Sequence, residues 1–320
     1  MKSERITSNW SLPRAMQRTL RRSVGCSGVA LHSGENVVIT LCPAKCDTGI
    51  VFERVDVNGP SAVIPATWDK VVDTRLCSTI GNDYGMTVAT IEHLMAALAG
   101  CGVDNAVIKI NGSEVPIMDG SSGPFVFLIE CAGLVELEAP RKVIRVLKEV
   151  EVKIGESRAV LKPSDKSFFD VNIDFKGTAA SDQALQIGLI NGNFCKELAQ
   201  ARTFGFLHEV EALRAAGLAK GGSLDNAIVV DGKEILNKDG LRFEDEFVRH
   251  KMLDAVGDLY LAGAFIIGGF LGWKCGHTIN NKLLRALFAD IDAWCYDFVS
   301  GDEVENSVDG GIPAMVRAVA

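Results

Sequence analysis

The stretch Phe247-Val-Arg-His250-Lys-Met-Leu-Asp254-Ala-Val-Gly-Asp258 restricts this chain more than any other dozen residues. A helix returns to nearly the same face every four residues, so His250, Asp254 and Asp258 form one polar stripe among Phe247, Val248, Met252, Leu253 and Val256. The acidic run Glu244-Asp245-Glu246 precedes it, where negative charge complements the helix dipole. Two readings of the stripe stay open. His250 and Asp254 are either an i,i+4 hydrogen-bonded pair on a helix surface, or two ligands of a metal site that needs further ligands from elsewhere in the chain.

A chain of 320 residues predicts about two domains, each able to bury a sizeable core. Its net charge of -8 excludes a general nucleic-acid binder, which needs a basic face to displace counterions. An anionic ligand must therefore be met by local basic groups. The 9 cysteines are odd in number and irregularly spaced, which fits a reducing cytoplasm and not a disulfide framework. Cys42 and Cys46, the one close pair, read as buried small hydrophobes in the absence of a second pair. The longest apolar run, Leu259 to Trp273, carries several glycines and stops short of the roughly 20 residues a membrane span needs. It reads as a helix end running into a core strand. Arg5, Arg14, Arg18, Arg21 and Arg22 give the N-terminus the look of a frayed basic leader before the first strand, with a transit peptide as the alternative.

From Val24 to Gly34, Asn36 to Leu41 and Ile50 to Val55 the pattern predicts strands, with His32 a structural or loop histidine. Val88 to Gly100 predicts a helix with Thr90 as N-cap, Glu92 in the first turn and Gly100 at the end. Glu92 and His93 are then either a dipole partner and a core histidine, or a functional pair on an otherwise apolar helix. A strand at Asn105 to Ile110 and a helix at Phe125 to Leu134 follow. After Pro140 the order restarts: strands at Arg141 to Ile154, Ala159 to Lys162 and Phe168 to Phe175, then mixed helix and loop to Phe206. A short helix at Leu207 to Leu218, a hairpin around Asp231-Gly232, the His250 helix, a strand at Ala264 to Trp273 and a helix from Thr278 to about Asp290 complete it. The fold class is therefore α+β: two similar domains, each a small, mostly antiparallel sheet with helices on one face, and the helices packed between the two sheets. That packing would bring His93 close to His250 and Asp254.

Two histidines and a carboxylate, with a fourth position left to water, are the ligand set of a catalytic zinc site. Such a site suits amide or ester hydrolysis near neutral pH, with Glu92 as the base. The H-E-x-x-H helix of metalloproteases is absent. An amine leaves poorly without a proton, and His277 with Asp258 beside it could supply one, although a helix-capping histidine would look the same. Thr203 is one of several threonines able to face a developing oxyanion.

Thr90-Ile-Glu92-His93-Leu94, Pro116-Ile-Met-Asp-Gly-Ser121, Ala201-Arg-Thr203-Phe-Gly-Phe206 and Leu241-Arg-Phe-Glu-Asp-Glu-Phe-Val-Arg-His250-Lys-Met-Leu-Asp254 together resemble the UDP-3-O-acyl-N-acetylglucosamine deacetylase family of lipid A biosynthesis. The resemblance runs from about Thr19 to near the C-terminus. It implies a cytoplasmic, monomeric, zinc-dependent hydrolase with one ion per chain. Its substrate would be UDP-3-O-(3-hydroxyacyl)-N-acetylglucosamine, and loss of acetate would be the committed step towards lipid A in Gram-negative bacteria. It further implies His93, His250 and Asp254 as zinc ligands, Glu92 as base, His277 as acid, Asp258 as its orienting carboxylate, Thr203 at the oxyanion and Lys251 on the substrate. Phe175 matches a uracil-stacking position, although Lys176-Gly177 after it depart from the family's usual Asn-His. Phe206, Val210 and Leu224 fall in an insert, about residues 203–224, that forms an acyl-chain passage. The implied division is a leader at 1–18, an N-terminal domain at 19–138 and a C-terminal domain at 139–320. Two rivals remain: a binding protein in which zinc only staples the domains, and a metal amidase acting on another N-acetyl compound.

Overall fold

The computed structural model describes residues 15–188 and 193–299. Its helices are α1 (Glu92–Cys101), α2 (Gly123–Ala132), α3 (Asn193–Glu197), α4 (Leu207–Ala215), α5 (Glu246–Tyr260) and α6 (His277–Ala289). Two five-stranded sheets organise the chain. The first runs in the order Val24–Val29, Asn36–Pro43, Ala106–Ile110, Ile50–Arg54, Val63–Pro65. The second runs Val150–Ile154, Ser157–Lys162, Gly269–Trp273, Phe168–Ile173, Gln183–Gly188.

In each sheet the strand latest in sequence lies at the centre, antiparallel to the second strand and parallel to the third. A parallel neighbour requires a crossover, and a helix supplies it: α1 before Ala106–Ile110, α5 before the later central strand. The expected repetition of element order is thus a repetition of topology. The α+β class is as read from the sequence.

The two crossover helices pack on each other, and one hydrophobic core runs through both, taking in Leu94, Met95 and Leu98 of α1 with Leu253, Val256 and Leu259 of α5. Glycine sets how closely they approach. A Cβ on Gly257 would stand 2.1 Å from the Glu92 carbonyl oxygen, so the backbones meet where the polar residues of both helices lie. At the other end of α1, a Cβ on Gly100 would stand 2.0 Å from the Phe194 ring.

Gly100 therefore does not end α1. Gly102 does, in the left-handed region at φ 69, with its N–H returned to the carbonyls of Ala99 and Leu98. Thr90 is not the N-cap either: its own φ is 56, and its hydroxyl is 3.1 Å from Glu114 Oε1. Ile91 takes the cap position with no side-chain bond.

The expected leader is partly outside the described residues, but its last three residues are not leader. Met16–Leu20 is a strand paired antiparallel with Leu134–Pro140, and Gln17 is buried and donates to Asp47 Oδ1 at 2.8 Å. The second strand of that ribbon crosses the expected division at 138/139. Residues 141–154 form two strands, Lys142–Val146 and Val150–Ile154, in different sheets. The run 264–273 is likewise broken at Gly268, where Phe265–Ile267 joins a separate three-stranded sheet with Lys142–Val146 and Trp294–Phe298. No helix among the described residues is long and apolar enough to cross a membrane.

Candidate active site

The approach of α1 and α5 brings His93, His250 and Asp254 together, one ligand atom from each lying within 4.8 Å of the others. Asp254 Oδ1 is 3.6 Å from His93 Nε2 and 3.3 Å from His250 Nε2. All three residues are at most 4% exposed. The first residue of α5 helps hold it: Glu246, wholly buried, accepts from Arg202 Nε at 2.9 Å and from the Arg202 backbone N–H at 3.0 Å.

These groups fit a metal ion better than they fit one another. His250 Nδ1 donates to the Ala201 carbonyl at 3.1 Å, which leaves Nε2 as the lone-pair atom facing Asp254. Asp254 Oδ2 accepts from Lys251 Nζ at 2.7 Å, but the buried Oδ1 has no hydrogen-bond partner among the described residues. A buried carboxylate oxygen without a donor is costly unless something cationic faces it. Burial holds His250 neutral, its pKa lowered to about 3. Burial opposes the charge on Asp254, yet its carboxyl stays well below the usual range, with the Lys251 ammonium against Oδ2 the cation that favours the ionised form. Neutral imidazole and ionised carboxylate are the states that metal ligation requires. The expected simple i,i+4 surface pair is excluded by this burial and by His93 as third member.

Two further groups stand beside the cluster. Glu92, next to His93 at the start of α1, is 4% exposed, and burial raises its pKa against the pull of His277 and His93. His277, the first residue of α6, has Nδ1 2.9 Å from Asp258 Oδ2 and Nε2 3.7 Å from Glu92 Oε1. Burial would lower the pKa of His277, but Asp258 and Glu92 outweigh it and raise it to about 9. The carboxyl groups of Asp258 and Glu92 thus flank the ring and favour its protonated form. Asn280 Nδ2 also donates to Asp258 Oδ2, at 2.9 Å.

A cavity of about 110 Å³ is lined by Glu92, His93, Thr203, His250, Lys251, Asp254 and His277, among others. Thr203 is placed there by backbone bonds to Gly120 and Ile228. Of the residues expected around the substrate, Phe175 packs on Phe206 and Phe204 with ring centroids 5.2 and 5.6 Å apart. Phe206 is 7% exposed and Leu224 46% exposed. Helix α4, which carries Val210, has no buried residue, so it is not an ordinary core helix.

Several lining residues escaped the sequence reading. His32, expected as a structural or loop histidine, does lie in the turn after Ala30; it also lines the cavity, and neither ring nitrogen has a hydrogen-bond partner among the described residues. Leu76, Cys77 and Phe204 line it too. No spacing rule marks them: His32, Leu76 and Cys77 sit in turns and loops, and Phe204 opens the short strand Phe204–Phe206. The glycine at 257 could have been noticed as the one residue without a side chain inside the polar stripe.

Residues 17–289 match the family described as UDP-3-O-acyl N-acetylglycosamine deacetylase. The chain is similar to the UDP-3-O-acyl-N-acetylglucosamine deacetylase of Pseudomonas entomophila (strain L48), 51% identical over 280 residues that cover 87% of this chain and 92% of that one. It is also similar to the proteins of the same name from Teredinibacter turnerae (50% identical, covering 91% and 95%) and Thioalkalivibrio sulfidiphilus (50% identical, covering 90% and 95%).

Proposed function

Because this chain belongs to the UDP-3-O-acyl N-acetylglycosamine deacetylase family, we propose that it removes acetate from the glucosamine nitrogen of UDP-3-O-(3-hydroxyacyl)-N-acetylglucosamine, using one zinc ion per chain. The observation that carries this reading is the partnerless Asp254 Oδ1 between two imidazole nitrogens, with Glu92 and His277 at its side. His93, His250 and Asp254 would hold the ion. When bound, zinc polarises a carbonyl oxygen and lowers the pKa of water from about 15.7 to about 7.

Glu92 takes the proton of the attacking water. Burial raises its pKa, which makes it a stronger base than an exposed glutamate. His277 gives its proton to the departing nitrogen, which an amide needs because an unprotonated amine is a poor leaving group. Asp258, against Nδ1, keeps Nε2 turned towards Glu92 and the cavity. Thr203 would support the developing oxyanion, and Lys251, charged against Asp254, would meet the substrate. Phe175 would stack on the uracil, and Phe206, Val210 and Leu224 would border the acyl chain. We further propose that the enzyme acts as a monomer in the cytoplasm of a Gram-negative bacterium, in lipid A synthesis.

The test is release of acetate from the UDP-linked acylated sugar by the purified, zinc-loaded chain. Stoichiometric acetate and free amine are expected. Tight binding of the sugar with no acetate released would leave a binding protein instead.

A further inference from the structure

Glu92 and Asp258 sit on different helices, yet one residue from a loop touches both. Ser78, 2% exposed, donates its hydroxyl to Asp258 Oδ1 at 2.5 Å and its backbone N–H to Glu92 Oε2 at 3.0 Å. Asp258 faces the imidazole with both oxygens, Oδ2 at 2.9 Å and Oδ1 at 3.1 Å from His277 Nδ1, and Glu92 Oε1 is 3.7 Å from His277 Nε2. The ring of His277 and the single residue Ser78 thus close a loop through the two carboxylates. The short hydroxyl contact has the length of a charge-assisted bond to an ionised acceptor. Leu76 and Cys77 line the cavity, whereas Ser78 lies behind it and does not.

We propose that Ser78 is a positioning residue for the acid and base pair, holding the Asp258 carboxylate turned against His277 Nδ1 and the Glu92 carboxyl turned with Oε1 towards Nε2. A carboxylate turns about its last bond with little resistance, so a fixed donor on one oxygen decides how the whole group faces its neighbour. Asp258 has a second donor in Asn280, which holds Oδ2, while the shorter bond from Ser78 holds Oδ1, so each oxygen has one fixed donor besides the imidazole. Glu92 Oε2 has the Ser78 peptide N–H, which a side-chain substitution leaves in place. The hydroxyl therefore acts through Asp258, and this inference rests on the deacetylase reading above.

The test compares kcat, KM, zinc content and melting temperature for the full-length zinc-loaded wild type, Ser78→Ala, Ser78→Cys, Asp258→Ala and the Ser78→Ala/Asp258→Ala double variant. Ser78→Ala is expected to lower kcat by about ten- to a hundredfold, the range for losing one hydrogen bond to a charged group, with KM and zinc content held. Ser78→Cys, similar in size but a weaker donor, should fall between, and serves alone if Ser78→Ala does not fold. In the Asp258→Ala background Ser78→Ala should add little, because the two act as one unit. An unchanged kcat in either folded variant, or a full second loss in the double variant, overturns the proposal. An inactive wild type would instead defeat the deacetylase reading and this inference together; an active one isolates Ser78.

Discussion

The rings of His93 and His250 meet edge to face with their centroids 5.0 Å apart, one from α1 and one from α5. Neither helix alone holds enough ligands for a metal, and the crossing of the two supplies the set. What happens at that crossing should therefore govern activity.

Gly257→Ala tests the crossing itself. The new methyl would stand 2.1 Å from the Glu92 carbonyl, which backbone cannot relieve without a shift of α1. A loss of about 1–3 kcal/mol or more in stability is expected, together with weaker zinc binding, although no ligand is touched. Thermal unfolding and zinc titration check it; a variant as stable and as tight as wild type would show that the helices can part freely.

Glu92→Ala and His277→Ala separate a catalytic site from a structural staple. Both should keep the metal and lose acetate release by about 100-fold or more, the usual contribution of a general base or acid. Undiminished turnover in both would leave the proposed proton transfers without support.

The proposed acid and base should set the pH dependence. His277 is raised to about 9 and must be protonated to act, so kcat/KM should fall as pH rises through that region. Glu92 must be ionised and its pKa is raised by burial, so the acid limb should lie above the range of an exposed glutamate. Asp258→Ala removes a group that favours the imidazolium and should move the alkaline limb to lower pH. The limbs report the coupled pair and not either residue alone. A pH profile of acetate release checks this; an alkaline limb unmoved by Asp258→Ala would contradict the role given to that carboxylate.

Substrate lacking the fatty acyl chain distinguishes this reaction from that of a general N-acetyl amidase. The exposed face of α4 and Leu224 would lose their partner, and turnover should drop sharply. Equal rates with and without the chain would assign α4 another purpose.

Periodicity revealed the site better than it revealed the frame. His250, Asp254 and Asp258 stand out because helical spacing gathers them on one face, and burial then makes their polarity meaningful. The ribbon of Met16–Leu20 with Leu134–Pro140 was hidden because its second strand is mostly exposed or half-buried and lacks a clean alternation. Trp294–Phe298 was hidden because it is an edge strand, with Tyr296 and Phe298 largely in solvent. Thr90 reads as a cap by residue type, but Glu114 claims its hydroxyl, a long-range contact that no local rule contains. Ser78 escaped for the same reason: a lone serine acquires its meaning only from the two carboxylates the fold places against it.

The central claim is that His93, His250 and Asp254 hold the ion on which hydrolysis depends. Zinc content and acetate release, measured on the same samples of wild type and His250→Ala before and after chelation and zinc return, test it most directly. Wild type should carry about one zinc per chain, lose activity on chelation and regain it with zinc, while His250→Ala should neither hold zinc stoichiometrically nor turn over. A His250→Ala variant that binds zinc tightly and releases acetate at the normal rate would contradict the account.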